Sequence, residues 1–392
     1  MRLRDLAPAL CAAAMLCGCM TADVLEPPVA GGAAPPAPVA PPPPAPPPPS
    51  PVVRDAVVGA DAVATENFTR VTTFFATDRN HVAGAAPSSA FGADPDVLRY
   101  GASVVSIPRS HRMGVVERPF IGGLTREDPA RHFVLHSTDV MAPDAFYRAL
   151  EQRLEAAEGR NALVFVHGYN VSFAEAAYRT AQMAYDLGFD GAPVFYSWPS
   201  AGRVLAYARD ARNVEWSQAN MERFLVDFFR RSDADNVYVV GHSMGNRALT
   251  RAIAAAARQE PRVRERLRQV VLAAPDIDAG VFRNQVAPAL AELGAPVTLY
   301  ASSGDLALRA AQRLYGGFHR AGQSGDDLVV VRGVDTIDAS TVDTGLLGHS
   351  YYADETSILS DMFYLFRGSR PEARAALRQM PHRDGRYWAF RP

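Results

Sequence analysis

The sequence predicts an α/β fold, with a mostly parallel central sheet and helices on both faces. Short continuous apolar runs, such as Ala162–Val166, have the character of strands buried on both faces. They alternate with longer helical segments, of which Ser172–Leu187 opens on the Ser172…Glu175 spacing of a capping box. The length of 392 residues, 48% of them apolar, is enough for one large α/β domain with appendages.

The elements follow in order. Val71–Ala76, Ala102–Ile107 and His132–Leu135 are the first three candidate strands. A regular alternation then begins: strand Ala162–Val166, helix Ser172–Leu187, strand Val194–Ser197 and a long helix over Val204–Arg230. Strand Val237–Val240 leads into helix Met244–Ala257. Val270–Ala273, Val297–Ala301 and Val329–Val331 complete the strands, and helix Ala353–Phe366 closes the domain. Strand–helix alternation of this kind implies a largely parallel sheet covered on both faces.

Charge and cysteine usage exclude several classes. The chain has 40 Lys+Arg, every one an arginine, against 42 Asp+Glu, for a formal net charge of −2. A nucleic-acid binder needs a basic excess to meet phosphates, so none is expected as a partner. The three cysteines, Cys11, Cys17 and Cys19, all lie at the extreme N-terminus. The rest of the chain therefore holds no disulfide framework, zinc cluster or cysteine nucleophile.

The N-terminus reads as an export signal. Arg2 and Arg4 precede an apolar stretch, Leu6–Leu16, that is too short as a helix to span a bilayer. Leu16-Cys17-Gly18-Cys19 then resembles a bacterial lipobox, although Cys17 stands where a small Ala or Ser is more usual. The resemblance implies cleavage before Cys19 and its acylation. A plain secretory signal cut near Gly18 is the alternative. Between Pro27 and Pro51, 14 of 25 residues are proline, which favours an extended polyproline spacer of roughly 70–80 Å. The expected organisation is a signal peptide over 1–18, a lipid-anchored Pro-rich tether over 19–65, the α/β domain over 66–368 and an Arg-rich tail over 369–392.

The sharpest chemical signal is Gly241-His242-Ser243-Met244-Gly245. An apolar strand enters it and a helix leaves it, which is the context of a nucleophile elbow. The flanking glycines let the serine sit on a tight turn, at a helix N-terminus that favours a developing oxyanion. A serine nucleophile needs a base, and the base an orienting carboxylate, in the chain order Ser, acid, His. Of His319, His349 and His382, only His349 falls in a loop between the last predicted strand and the closing helix. Asp305 follows strand Val297–Ala301 on a Gly turn and is the favoured acid, with Asp276 and Asp278 as rivals one strand earlier. The N–H groups of Tyr169, in His167-Gly168-Tyr169-Asn170, and of Met244 are the expected oxyanion donors. His167 is expected to shape that loop. The stretch Trp198–Trp216, with Arg203, Tyr207, Arg209, Asp210 and Arg212, reads either as a pocket wall, its arginines meeting an anionic group, or as a solvated helix face.

With Phe75-Ala76-Thr77-Asp78-Arg79, Val164–Asn170, Ser197-Trp198-Pro199-Ser200, Gly241–Gly245, Ala274–Asp278 and Gly348-His349-Ser350, the chain resembles a bacterial α/β-hydrolase family of esterase/lipase-like proteins without an assigned physiological role. The resemblance implies an α/β-hydrolase fold and a Ser243–Asp305–His349 triad, and it implies no substrate. The expected activity is cleavage of a small-molecule or lipid ester by an envelope-anchored serine hydrolase, with no metal or organic cofactor. Amide, peptide or thioester cleavage on the same triad, or a catalytically silent binding lipoprotein, are the alternatives.

Overall fold

The computed structural model describes residues 67–119, 126–303, 317–342 and 356–391. All of them fall in Ala45–Pro392, the second of the two units into which the chain divides. The N-terminal segment with Cys19 and the Pro-rich stretch lie outside the described residues.

The strands are β1 Phe68–His81, β2 Phe91–Pro108, β3 Val134–Met141, β4 Asn161–Val166, β5 Ala192–Ser197, β6 Asn236–His242, β7 Leu267–Ala273, β8 Val297–Ala301, β9 Asp335–Asp338, β10 Leu377–His382 and β11 Gly385–Phe390. They form one sheet in the order β10-β11-β9-β8-β7-β6-β4-β5-β1-β2-β3. From β11 to β1 every neighbouring pair is parallel, and among the described residues antiparallel strand pairs lie at the two margins of the sheet. Parallel strands need long crossovers, and helices supply them. The main ones are α1 Pro143–Glu155, α2 Phe173–Asp186, α3 Tyr207–Arg231 and α4 Gly245–Gln259, followed late in the chain by a closing helix, Thr356–Phe366.

The central strands are apolar without alternation because both faces are covered. In β4, Ala162, Val164 and Val166 pack with residues of α1, α3 and α4. Leu163 and Phe165 of the same strand pack with α2 and the closing helix. The predicted capping box is present: Ser172 Oγ accepts from Glu175 N while the Glu175 carboxylate accepts from Ser172 N. Among the described residues no helix is long and apolar enough to cross a membrane.

Helix α1 has no counterpart in the sequence expectation, β1 and β2 run well past their expected bounds, and three further segments differ. Val329–Val331 is coil, and the strand beside β8 is β9, a few residues later. Val329 and Val330 are buried all the same, and Thr336 Oγ1 donates to the Val329 carbonyl at 2.7 Å. The third strand begins at Val134 and runs to Met141, past the expected His132–Leu135. Residues of the expected polar tail, Leu377–His382 and Gly385–Phe390, form a hairpin whose second strand pairs with β9 and extends the sheet.

Candidate active site

Ser243 lies between β6 and α4 with φ +47°. A non-glycine residue enters that left-handed region only when its surroundings hold it there. Here Ser243 N donates to Ala273 O at 2.9 Å, while Ser243 O accepts from Asp276 N and Asn246 N, each at 3.2 Å. Asn246, fully buried, ties the turn from inside, its Nδ2 reaching Ser243 O at 3.2 Å and Ala273 O at 3.3 Å. Gly245 is required by close approach, since a Cβ there would lie 2.2 Å from His167 O.

That contact brings the loop after β4 against the elbow. A Cβ on Gly168 would meet His242 Nδ1 at 2.7 Å and Ser243 Cβ at 2.9 Å. The loop is fixed by buried polar groups. Asn170 N donates to Asp210 Oδ2 at 3.3 Å and Val171 N to Ser200 Oγ at 3.1 Å. Asp210, on α3, also accepts from Ser200 Oγ at 2.6 Å and Ala201 N at 2.8 Å. Tyr169 packs edge-on to Tyr207, their ring centres 5.2 Å apart.

Beneath the loop sits Arg79, 1% exposed. It donates to Gly92 O at 3.0 Å, Ser200 O at 2.8 Å, Val171 O at 2.7 Å and Ser197 Oγ at 2.8 Å, stitching four segments together. Burial lowers its pKa to about 10, which leaves it charged at neutral pH. His167 stacks on Trp198 with 5.0 Å between ring centres. Its Nδ1 donates to Gly168 O at 2.8 Å, and its Nε2 is 3.1 Å from Ser197 Oγ and 3.4 Å from Arg79 Nη2. Burial, and then the Arg79 charge, hold this imidazole well below its usual range. A neutral ring already bonded at both nitrogens shapes the loop, as the sequence suggests, and is not available as a base.

Asp305 and His349, the expected acid and base, lie outside the described residues. The segments that lead to them are described. Ser303, after β8, donates its N–H to Ser340 Oγ at 2.8 Å, and Ala339, after β9, donates to Ala301 O at 2.8 Å. β8 and β9 are neighbouring parallel strands in the same sheet as β6, which leads into Ser243.

The rival residues are all described. The Asp276 carboxylate, 1% exposed, accepts from Tyr207 OH at 2.5 Å and Arg247 Nη2 at 2.8 Å, with Arg320 Nε at 3.4 Å. It belongs to an arginine cluster and bonds to no described imidazole. Asp278 caps a short helical turn, its Oδ1 accepting from Val281 N at 2.9 Å. His319 Nε2 lies 3.2 Å from Gln323 O in its own loop. His382 ends β10 opposite the start of β11, at the far edge of the sheet. Five strand steps separate β10 from β6, roughly 24 Å. In the Trp198–Trp216 stretch, Tyr207 and Asp210 turn inward together, whereas Arg209 is held at the surface by Asp94 Oδ1 at 2.9 Å.

Over residues 142–366 the sequence matches the family described as alpha/beta hydrolase of unknown function (DUF900). The chain belongs to that family. No curated protein matches it. Among solved structures, a proposed cell-surface hydrolase from Lactobacillus plantarum WCFS1 is 13% identical over 55% of this chain and 95% of its own, at a TM-score of 0.34. A CIB-like hydrolase predicted for Thermoplasma acidophilum is 14% identical over 54% of this chain and 88% of its own, at 0.30. Esterase B from Lactobacillus rhamnosis is 12% identical over 79% of this chain and 89% of its own, at 0.33.

In this α/β-hydrolase, sequence reasoning missed the residues that hold the elbow and loop in place. Asn246, Arg247 and Arg320 stand in no motif. Arg79 stands in the Phe75-Ala76-Thr77-Asp78-Arg79 motif of the resemblance, which attaches no role to it.

Proposed function

We propose that this hydrolase is a serine hydrolase that cleaves a carboxylic ester through an acyl-enzyme. The observation that carries this reading is the left-handed Ser243, φ +47°, with the backbone of Gly168 pressed against it. A serine is held in such a conformation at a strand–helix turn where its hydroxyl is to be presented above the sheet.

In the proposed reaction His349 removes the Ser243 proton as Oγ attacks the ester carbonyl. The N–H groups of Tyr169 and Met244 hold the oxyanion, and the partial positive charge at the start of α4 adds to them. His349, now cationic and steadied by Asp305, gives its proton to the leaving alkoxide as the C–O bond breaks. Water then attacks the acyl-enzyme with His349 as base, releasing the acid and restoring Ser243.

Hydrolysis of p-nitrophenyl esters of increasing chain length tests this. Wild-type protein is expected to turn over at least the short esters, and Ser243→Ala and His349→Ala are expected to lose activity by at least about 10³-fold. Retention of activity in Ser243→Ala overturns the reading.

We further propose that the chain is exported and attached to a membrane through an acylated Cys19, with the Pro-rich stretch as spacer. The intact mass of the mature N-terminus tests this: an acylated Cys19 supports it and an unmodified thiol contradicts it.

A further inference from the structure

The wall next to Ser243 holds two cations and one anion. Asp276, whose N–H bonds the Ser243 carbonyl at 3.2 Å, gathers Arg247 from the first turn of α4 and Arg320 from the segment 317–323. Arg247 is well used. Its Nε donates to Asp276 O at 2.7 Å, and its Nη2 to Asp276 Oδ2 and Tyr207 OH, both at 2.8 Å. Arg320 is not. Its Nε, buried, lies 3.4 Å from Asp276 Oδ1 without the alignment of a hydrogen bond. Yet the residue is only 8% exposed. A guanidinium whose Nε is buried without an acceptor is costly to leave so unless something accepts from it.

Its surroundings are built to present it. Arg320 N donates to Gln323 Oε1 at 2.8 Å, Ala321 N to Ile277 O at 2.8 Å and Gly322 N to Pro275 O at 2.9 Å. Asp278, the nearest other carboxylate along the loop after β7, is turned to Val281 N at 2.9 Å. The wall continues through Tyr207 to Tyr169, on the loop proposed to hold the oxyanion.

We infer that Arg320 is a specificity residue that receives an anionic group, carboxylate or phosphate, carried by the ester cleaved at Ser243; this rests on the serine-hydrolase reading above. The planar guanidinium fork matches either anion. The net positive charge left by two arginines against Asp276 favours such a substrate over a neutral one.

The test compares kcat/KM within two substrate pairs. One is p-nitrophenyl hydrogen succinate against p-nitrophenyl butyrate, which places a carboxylate on the acyl side. The other is oleoylglycerol phosphate against monoolein, which places a phosphate on the leaving side. The wild type is expected to favour the anionic member of at least one pair, and that pair identifies the anion. Arg320→Gln is expected to lower the preference about 10–100-fold, Arg320→Lys to keep part of it, and Arg378→Gln, on exposed β10, to leave it unchanged. No anionic preference in the wild type, or an equal preference in Arg320→Gln, overturns the inference. If no ester is turned over, the hydrolytic reading has failed, and calorimetry on Ser243→Ala protein decides the anion question separately. Tighter binding of monomethyl succinate than of methyl butyrate, lost on adding Arg320→Gln, supports the site, and equal binding refutes it.

Discussion

At the scale of single residues, the candidate site depends on close approaches that leave no room for a methyl group. Gly168→Ala places a Cβ 2.7 Å from His242 Nδ1 and 2.9 Å from Ser243 Cβ, so loop and elbow must separate. Loss of an aligned oxyanion donor costs about 10²–10³ in rate, and we expect kcat of Gly168→Ala to fall by at least 10²-fold. Wild-type kcat in that variant contradicts the assignment of this loop. Arg79 acts by position and not by chemistry. Arg79→Met leaves the carbonyls of Gly92, Val171 and Ser200 without their buried donor. Each lost partner costs about 1–3 kcal/mol, so urea denaturation is expected to register a loss of at least about 3 kcal/mol. The two candidate acids separate in the same way. Asp305→Asn is expected to lower kcat by about 10⁴-fold with stability kept. Asp276→Asn is expected to lower stability, because two arginines converge on that carboxylate.

At the scale of elements, the segment before β3 is clasped to the end of α2 by one imidazole. His111 bonds Glu117 Oε2 and Asp186 Oδ1, both at 2.8 Å, and Asp186 Oδ2 also accepts from Gly114 N at 2.6 Å. A carboxylate at a helix C-terminus is unfavourably placed, and the cation beside it offsets this. Burial alone would depress His111, but the hydrogen bonds and charges of Asp186 and Glu117 outweigh it and raise the pKa from 6.5 to about 9. A folded-state value raised in this way contributes stability that is complete below pH 6.5 and is lost as pH rises through about 9. The urea midpoint of the wild type should therefore fall between pH 6.5 and pH 9.5, and in His111→Gln this part of the decline should be absent. Equal pH dependence in both proteins contradicts the clasp. None of this was legible in the sequence, because Glu117 and Asp186 lie 6 and 75 residues from His111. What was legible is the periodic part. β8 has the bounds that its apolar run suggests, and the capping box fixes the start of α2. Val329–Val331 misled because burial, not strand pairing, is what an apolar triplet reports. The true strand, Asp335-Thr336-Ile337-Asp338, has acidic ends that hide it.

At the scale of the whole molecule, the described C-terminal residues belong to the sheet. Arg374, 1% exposed, donates to Asp361 Oδ2 at 2.6 Å, and Tyr300 OH donates to the same oxygen at 2.5 Å. This buried pair joins the turn before β10 to the closing helix and to β8. Burial pushes Asp361 up to about 6 despite its arginine. Arg374→Leu leaves that carboxyl buried without a cation, a loss of about 3–5 kcal/mol that thermal melting should register. A chain ending at Gly368 should be less stable still, since it also bares the edge of β9. The central claim is that this framework presents Ser243 as a nucleophile. It is tested most directly by reacting the folded protein with a fluorophosphonate and mapping the adduct by peptide mass spectrometry. The account predicts a single adduct on Ser243, absent in Ser243→Ala. A folded protein that takes up no probe, or an adduct that persists in Ser243→Ala, would contradict it.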